Sequence, residues 1–307
     1  MKSKILIVGG TGFIGYHAAK YAIKKGWKVT SISLKKAKKY RLIPNVNYIQ
    51  VNISNLNSLK KKIKGEFDYV LNVGGYVNHS SKKKDRKKIF NEHYLGLVNL
   101  TKIFLQKNIK SFVQIGTSAE YGKITKPHHE KIICKPNSFY SQAKLQATQH
   151  LLRLFKKKRF PATILRFYLV YGPKQDNNRF VSNIIIGCIK NKKFPCSKGD
   201  QMRDFCYIDD VIKSIFLSFR FKEAKGNIFN IGYGKPIKIK KLIKYINLKV
   251  GKGFPQFGLK KYRDDEVLKY YPIIKKVKNK LKWKPKISLK NGINKTIKFY
   301  NEKKFNI

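Results

Sequence analysis

The sequence predicts an α/β protein built on a doubly wound parallel sheet. Three observations carry this. The chain opens on an apolar run at residues 5–8, followed at once by glycines at 9, 12 and 15. Further apolar, strand-like runs then alternate with amphipathic helical stretches as far as residue 167. From Pro173 onward the alternation breaks down, which points to a second, smaller unit.

The first element fixes the reading of the rest. An apolar strand, a glycine turn and a helical pattern through Ala18, Ala19, Tyr21, Ala22 and Ile23 form the context of a dinucleotide site. Gly9 permits the tight turn, Gly12 lets a pyrophosphate approach the backbone, and Gly15 lets the helix pack on the strand. Thr11, Phe13 and Ile14 complete the turn and the helix start, whose free N–H groups favour an anion.

Strand two is expected at residues 27–33. An acidic residue at its end would bind the ribose hydroxyls of NAD. Ser33, Leu34, Lys35 and Lys36 stand there instead. A hydroxyl and two ammonium groups attract a 2′-phosphate that a carboxylate would repel, so the residues favour NADP(H), with NAD(H) as the alternative. Strand three is expected at residues 46–51, ending in Asn52 and Ile53 beside the adenine. Strand four, at residues 67–75, has the small tip Val73-Gly74-Gly75 that lets a cofactor come close. A lysine-rich loop and a helix at residues 89–105 precede strand five at 111–117, and strand six covers 163–167. The expected division is a dinucleotide-binding unit at 1–172, rejoined by the chain at about 204–232, and a second unit from 173–203 and 233–307.

Composition excludes some classes and weighs on others. No apolar run approaches the roughly 18 residues of a membrane span. Four cysteines without paired spacing suggest free thiols in a reducing, cytoplasmic compartment, and no metal site. The net charge of +53 is compatible with polyanion binding. The charge, however, comes from 60 lysines scattered along the chain and only nine arginines, as a lysine-biased background would give. No specific nucleic-acid partner is expected. Where lysine is so common, a scarce arginine suggests that a planar fork was needed.

Tyr140 and Lys144 lie four apart on an expected helix that starts near Pro136 and Ser138, and so share a face. A phenol titrates near 10 and needs help to exchange protons at neutral pH. A cation about 4 Å away would favour the phenolate by at most ~4 kcal/mol at an effective dielectric near 20. Tyr140 could then exchange a proton with a sugar oxygen while hydride moves at the same carbon, and Lys144 could also hold the nicotinamide ribose. Thr117 and Ser118, at the tip of strand five, could hold the substrate oxygen. His128 and His129 read as a solvated loop.

These features occur in the order seen in the extended short-chain dehydrogenase/reductase family, which the chain resembles over nearly its whole length. That family comprises NAD(P)-dependent nucleotide-sugar epimerases, dehydratases and reductases. Further segments match: Arg166-Phe-Tyr-Leu-Val-Tyr-Gly-Pro173, Arg203-Asp-Phe-Cys-Tyr-Ile-Asp-Asp210, Phe229-Asn-Ile-Gly232 and Leu281-Lys-Trp283-Lys-Pro285. The resemblance implies a Rossmann domain, a C-terminal domain for the nucleotide-sugar substrate, and a homodimer. It makes Thr117 rather than Ser118 the catalytic hydroxyl, with Ser118 in the substrate lining. Arg203 and Arg263 correspond to diphosphate-binding arginines, and Arg179 lies in a substrate segment. Leu169 and His93 depart from the family, each standing where Asn is common.

A dehydratase of this family would carry Asp-Glu directly after the catalytic hydroxyl; Ser118-Ala119 stand there. The segments around Arg179, Arg203 and Arg263 most resemble abequose-synthase-type reductases. The expectation is therefore NADPH-dependent reduction of the C4 ketone of a nucleotide-linked 4-keto-6-deoxy sugar, CDP-linked sugars included. Such a step serves surface polysaccharide (lipopolysaccharide O-antigen) synthesis. The alternative is an NAD-dependent 4-epimerase. A nucleic-acid-binding protein on a dehydrogenase fold is the remote third reading.

Overall fold

The structure, a computed structural model, describes residues 2–75, 82–262 and 266–302. The strands are β1 (Lys4–Val8), β2 (Lys28–Ser33), β3 (Val46–Gln50), β4 (Tyr69–Asn72), β5 (Ser111–Thr117), β6 (Ala162–Phe167), β7 (Leu169–Tyr171), β8 (Lys193–Cys196), β9 (Met202–Arg203), β10 (Phe205–Tyr207), β11 (Ile228–Ile231), β12 (Ile237–Lys238), β13 (Phe254–Phe257) and β14 (Lys269–Tyr270). The helices are α1 (Phe13–Lys24), α2 (Leu56–Lys62), α3 (Lys83–Phe90), α4 (Gly96–Phe104), α5 (Phe139–Lys158), α6 (Phe180–Ile189), α7 (Ile208–Arg220), α8 (Ile239–Val250), α9 (Lys275–Leu281) and α10 (Leu289–Glu302).

The main sheet has seven parallel strands in the order β11-β6-β5-β4-β1-β2-β3. Its order reverses between β1 and β4, which places a crevice at the carboxyl ends of those two strands. Both faces are covered, as the near-continuous apolar runs require. Ile5, Ile7 and Val29 pack with Ala18, Ala19 and Ala22 of α1 and Val211, Ile212 and Ile215 of α7. The alternate residues Leu6, Val8 and Ile32 pack on the other face with Leu59 of α2, Leu97 and Leu100 of α4, and Ala147 and Leu151 of α5. Trp27 and Tyr69 stack at one end of the sheet, ring centroids 4.7 Å apart.

The segments singled out in the sequence meet through carboxylates. Asp204 accepts the backbone N–H groups of Tyr233 (2.7 Å) and Gly234 (2.6 Å), tying the Arg203 segment to the turn after β11. Asp210 accepts those of Lys286 (2.9 Å) and Ile287 (2.8 Å), and the Trp283 indole donates to its carbonyl at 2.9 Å. Residues 29 and 30 apart at Asp204, and 76 and 77 apart at Asp210, are thereby joined by hydrogen bonds to charged acceptors, the stronger kind.

Two local expectations need correction. The lysine-rich stretch before residue 89 is partly helical: α3 begins at Lys83, and a π-helical turn at Asn91–Leu95 joins it to α4. The basic stretch hid this start because its lysines face solvent and only Ile89 is buried. His128 is not on a solvated loop. It is fully buried, with Nδ1 2.8 Å from the Tyr168 hydroxyl and Nε2 3.0 Å from the Ile124 carbonyl. Tyr121 and Tyr270 close around its ring.

His128→Ala should therefore cost about 2–4 kcal/mol in denaturant unfolding, through a cavity and lost hydrogen bonds; a solvated-loop histidine would cost under about 0.5 kcal/mol. Burial lowers the His128 pKa. Its imidazole thus stays neutral in the fold while the unfolded chain takes up a proton below about pH 6.5. His17, lowered to about 4 by burial, acts in the same sense, and Asp204, raised to about 6 by burial, in the opposite sense. The His128 contribution is isolated by comparison: between pH 7 and 5 wild type should lose more stability than His128→Leu.

Candidate active site

The glycine turn has the form expected of a pyrophosphate cradle. Gly9 takes φ +82°, and a Cβ there would lie 2.8 Å from Gly74 Cα at the tip of β4. A Cβ on Gly15 would fall 2.2 Å from the Gly9 carbonyl oxygen. Gly12 caps α1 with extended backbone, no side chain satisfies the first helical N–H groups, and no acidic residue occupies the first turn. The open helix end fits an anionic dinucleotide. Thr11, Phe13 and Ile14 are half-buried around it.

Around this cradle the other expected cofactor residues divide. Ser33 ends β2 with its hydroxyl donating to the Lys35 carbonyl at 3.0 Å, while Lys35 and Lys36 are exposed. Asn52 uses its amide oxygen to hold a turn, accepting from the Ser54 N–H (3.0 Å) and hydroxyl (2.8 Å). Ile53 packs over Gly96, where a Cβ would stand 2.5 Å from its side chain. Val73 lies half-buried at the β4 tip.

The catalytic candidates converge at the end of β5. Thr117 caps the 3-10 turn Ser118–Tyr121, its hydroxyl accepting the Ala119 N–H at 3.2 Å. Ser138 caps α5 in a reciprocal pair with Ser141, which sets the start of the helix and so the face that carries Tyr140 and Lys144. The Thr117 side chain lies near enough to the Tyr140 phenol to lower its pKa against the effect of burial. His93, on the π-helical turn, meets the Tyr140 ring edge-on at 4.9 Å. A Cβ on Gly75 would overlap the same imidazole, so His93 also abuts the β4 tip.

One electrostatic expectation fails in this arrangement. Lys144 is turned to the sheet and not set against the phenol: its ammonium donates to the Ile115 carbonyl at 2.6 Å. Burial holds Tyr140 at about 12, relieved in part by Thr117. Burial also lowers Lys144 to about 8, against the pull of Glu120. Sharing a helix face put the two side chains in one region, but the long lysine stem reaches the sheet instead of the phenol.

Of the arginines singled out in the sequence, Arg179 stands at the N-cap position of α6 without a side-chain cap bond, on a side from which its charge favours the Tyr140 phenolate. Arg203 pairs with Glu266 and lies over the Tyr270 ring at 5.9 Å. Arg263 lies outside the described residues. Ser118 contributes its carbonyl, which accepts the Tyr270 hydroxyl and joins the β5 tip to β14. Leu169, at a usual Asn position, is exposed on β7.

Glu120 was not foreseen. It is fully buried and paired at 2.8 Å with Arg166, itself buried. Its trace in the sequence is the Thr-x-x-Glu spacing of a capping box, Thr117 to Glu120. Nothing in the sequence marks Tyr270.

Comparison with known proteins identifies the family and the fold. Residues 5–232 match the model of the NAD dependent epimerase/dehydratase family. The UDP-glucuronate 4-epimerase of Thermodesulfobacterium geofontis is 26% identical over 312 residues, which cover 97% of this chain and 96% of that protein. The crystal structure of the Thermotoga maritima UDP-glucose 4-epimerase with UDP-glucose superposes with a TM-score of 0.90 at 25% identity, covering 97% of this chain and 99% of the other. The UDP-glucose 4-epimerase of Thermus thermophilus in complex with NAD shares the fold, with a TM-score of 0.87 at 20% identity over 97% and 99% of the two chains. No described helix is long and apolar enough to cross a membrane. The chain belongs to the NAD dependent epimerase/dehydratase family of enzymes that act on nucleotide sugars.

Proposed function

We propose that the protein exchanges hydride at C4 of a nucleotide-linked hexose and runs as a 4-epimerase with NAD held at the glycine turn. The observation that carries this is the Thr117–Tyr140 pair at the β5 tip, with Lys144 on the same helix and no acidic residues at 118 and 119 for dehydration. Near end-to-end likeness to two 4-epimerases supports it.

NAD held by the Gly9, Gly12 and Gly15 turn would supply the hydride acceptor and donor for C4. Thr117 and Tyr140 hold the C4 oxygen between them. Tyr140 accepts the hydroxyl proton as C4 is oxidised to the ketone and gives it back as the ketone is reduced. With its pKa at about 12, Tyr140 rests in the proton-donating form. The oxidative half needs a cation to stabilise the phenolate, and Lys144 supplies it by leaving the Ile115 carbonyl. Arg203, Arg263 and Arg179 bind the diphosphate and spend remote binding energy on orienting the sugar.

A second reading rests on the end of β2. Ser33, Lys35 and Lys36 without a carboxylate suit a 2′-phosphate, and hence net reduction of a 4-keto-6-deoxy nucleotide sugar by NADPH in surface polysaccharide synthesis.

Denatured enzyme should release NAD, and UDP-glucose or UDP-glucuronate should be converted to its C4 epimer without lasting change in the reduced-nicotinamide absorbance. Stoichiometric NADPH loss with a 4-keto sugar would establish the second reading instead. Neither reaction, across UDP-, dTDP- and CDP-linked hexoses, would overturn both.

Tyr140→Phe removes one hydroxyl in either case. Turnover should fall by about 10²–10⁴-fold, the usual worth of a general acid–base, with cofactor affinity retained. Wild-type turnover in that variant would remove Tyr140 from the chemistry.

Cofactor choice is testable by fluorescence titration. If the β2 end governs it, Ser33→Asp should weaken NADPH relative to NADH; an unchanged ratio would show that Ser33 does not face the 2′-position.

A further inference from the structure

All four measured contacts of the Glu120 carboxylate are with donors. Oε1 accepts the Thr117 backbone N–H at 2.9 Å. Oε2 accepts the Thr148 hydroxyl at 2.9 Å and the Arg166 guanidinium at 2.9 Å from Nε and 2.8 Å from Nη2. The backbone makes room for it: a Cβ on Gly116 would stand 2.7 Å from Oε1. The capping box closes the loop, since the Thr117 hydroxyl accepts the Ala119 N–H while Glu120 holds the Thr117 N–H. The Ala119 N–H, directed at its oxygen, fixes where the Thr117 hydroxyl stands at the β5 tip.

Stability gives little reason to bury this charge. A buried carboxylate–guanidinium pair replaced by apolar residues is often neutral or stabilising. The pair lies instead where its charge reaches the reacting groups. Tyr140 is faced by Glu120 from the 3-10 turn, Arg179 from the start of α6 and His93 from the π-helical turn, with Lys144 one turn along its own helix. Glu120 is faced by Arg166 from β6 and by Tyr140 and Lys144 from α5. Tyr121, Cys134 and Tyr270 lie around the pair.

We propose that Glu120 is a positioning residue of the active site: its carboxylate, anchored by Arg166 and Thr148, fixes the backbone of Thr117 at the β5 tip from behind the reacting groups. This rests on the role of Thr117 at the C4 oxygen proposed above. It adds that Thr117 is held from the far side of the β5 tip, by a residue with no path to substrate. Burial is the first cause of the high Tyr140 pKa; the Glu120 charge adds to it, against Thr117 and Arg179.

The test uses the full chain with a carbon-13 label at the tyrosine Cζ. The Tyr140 signal is identified by its loss in Tyr140→Phe, and its pH titration is compared between wild type and Glu120→Gln. Glutamine keeps the size and an oxygen for the Thr117 N–H but removes the charge. Deprotonation of Tyr140 should begin lower in the variant by about one pH unit, a tenfold change in proton affinity. An identical titration in a folded variant would overturn the proposal, since the carboxylate would then not stand behind the reacting groups; a role in packing alone leaves the titration in place. The readout needs no knowledge of the sugar, so an error in the proposed reaction cannot be mistaken for an error about Glu120.

Glu120→Asp separates reach from charge and decides the matter if the glutamine variant does not fold. It should leave the Tyr140 titration where it is and lower kcat about tenfold to a hundredfold through misplacement of Thr117, with KM little changed. Wild-type kcat in Glu120→Asp would overturn the positioning role.

Discussion

The active-site edge of this protein depends on a buried ion pair. Moving Glu120 and Arg166 out of water costs several kcal/mol for each ion, and breaking such a pair costs about 3–5 kcal/mol. The fold offsets this with donors on both carboxylate oxygens. The Arg166 guanidinium also lies over the Tyr121 ring at 4.6 Å. Tyr121 donates to Asn230 at 2.8 Å, and Asn230 donates to the His128 carbonyl at 3.0 Å. β5, β6, α5 and β11 therefore meet at one polar cluster directly behind Thr117. Both Glu120 oxygens are satisfied, while Arg166 Nη1 is buried without a hydrogen-bond partner; a buried polar network rigidifies a site to the extent that its members are paired.

The same economy governs the other acids. The chain has 16 Asp and Glu against 69 Lys and Arg, so carboxylates are the scarce charge. The described acids that are fully buried are Glu120, Asp204 and Asp210, and each joins segments far apart in sequence. Outside the core, Asp176 pairs with Arg41 at 2.9 Å and draws the stretch after β2 onto the segment after β7. Lys174 reinforces that contact by donating to the Tyr16 hydroxyl at 2.8 Å, its ammonium 4.1 Å from the ring centroid. Most lysines, by contrast, lie in solvent and govern solubility and nonspecific attraction more than structure.

A second constraint is the absence of side chains. Gly9, Gly15 and Gly75 stand where a Cβ would meet the backbone of the turn or the His93 ring. Together they leave the β1 and β4 tips open at the point where the sheet order reverses, with the Tyr140 ring held nearby by His93. The β4 tip beside the glycine turn and the Tyr140 phenol thus share one boundary, His93, on a π-helical turn of the kind often found at functional sites.

The sequence by itself determined the parallel sheet, the glycine turn after β1, the start of α5 at Ser138 and the placing of Tyr140 and Lys144 on that one helix. These are properties of local spacing: period, caps and turns are written in neighbouring residues. Tertiary structure decided what local spacing cannot carry. Lys144 bonds a strand carbonyl 29 residues away in sequence instead of the phenol. His128 lies in an aromatic cluster whose members come from four segments of the chain. Glu120 shows its capping role in the spacing from Thr117, but its charge acquires meaning only when β6 brings Arg166 alongside. Burial and partners set the protonation of a side chain, and both are long-range consequences of the fold.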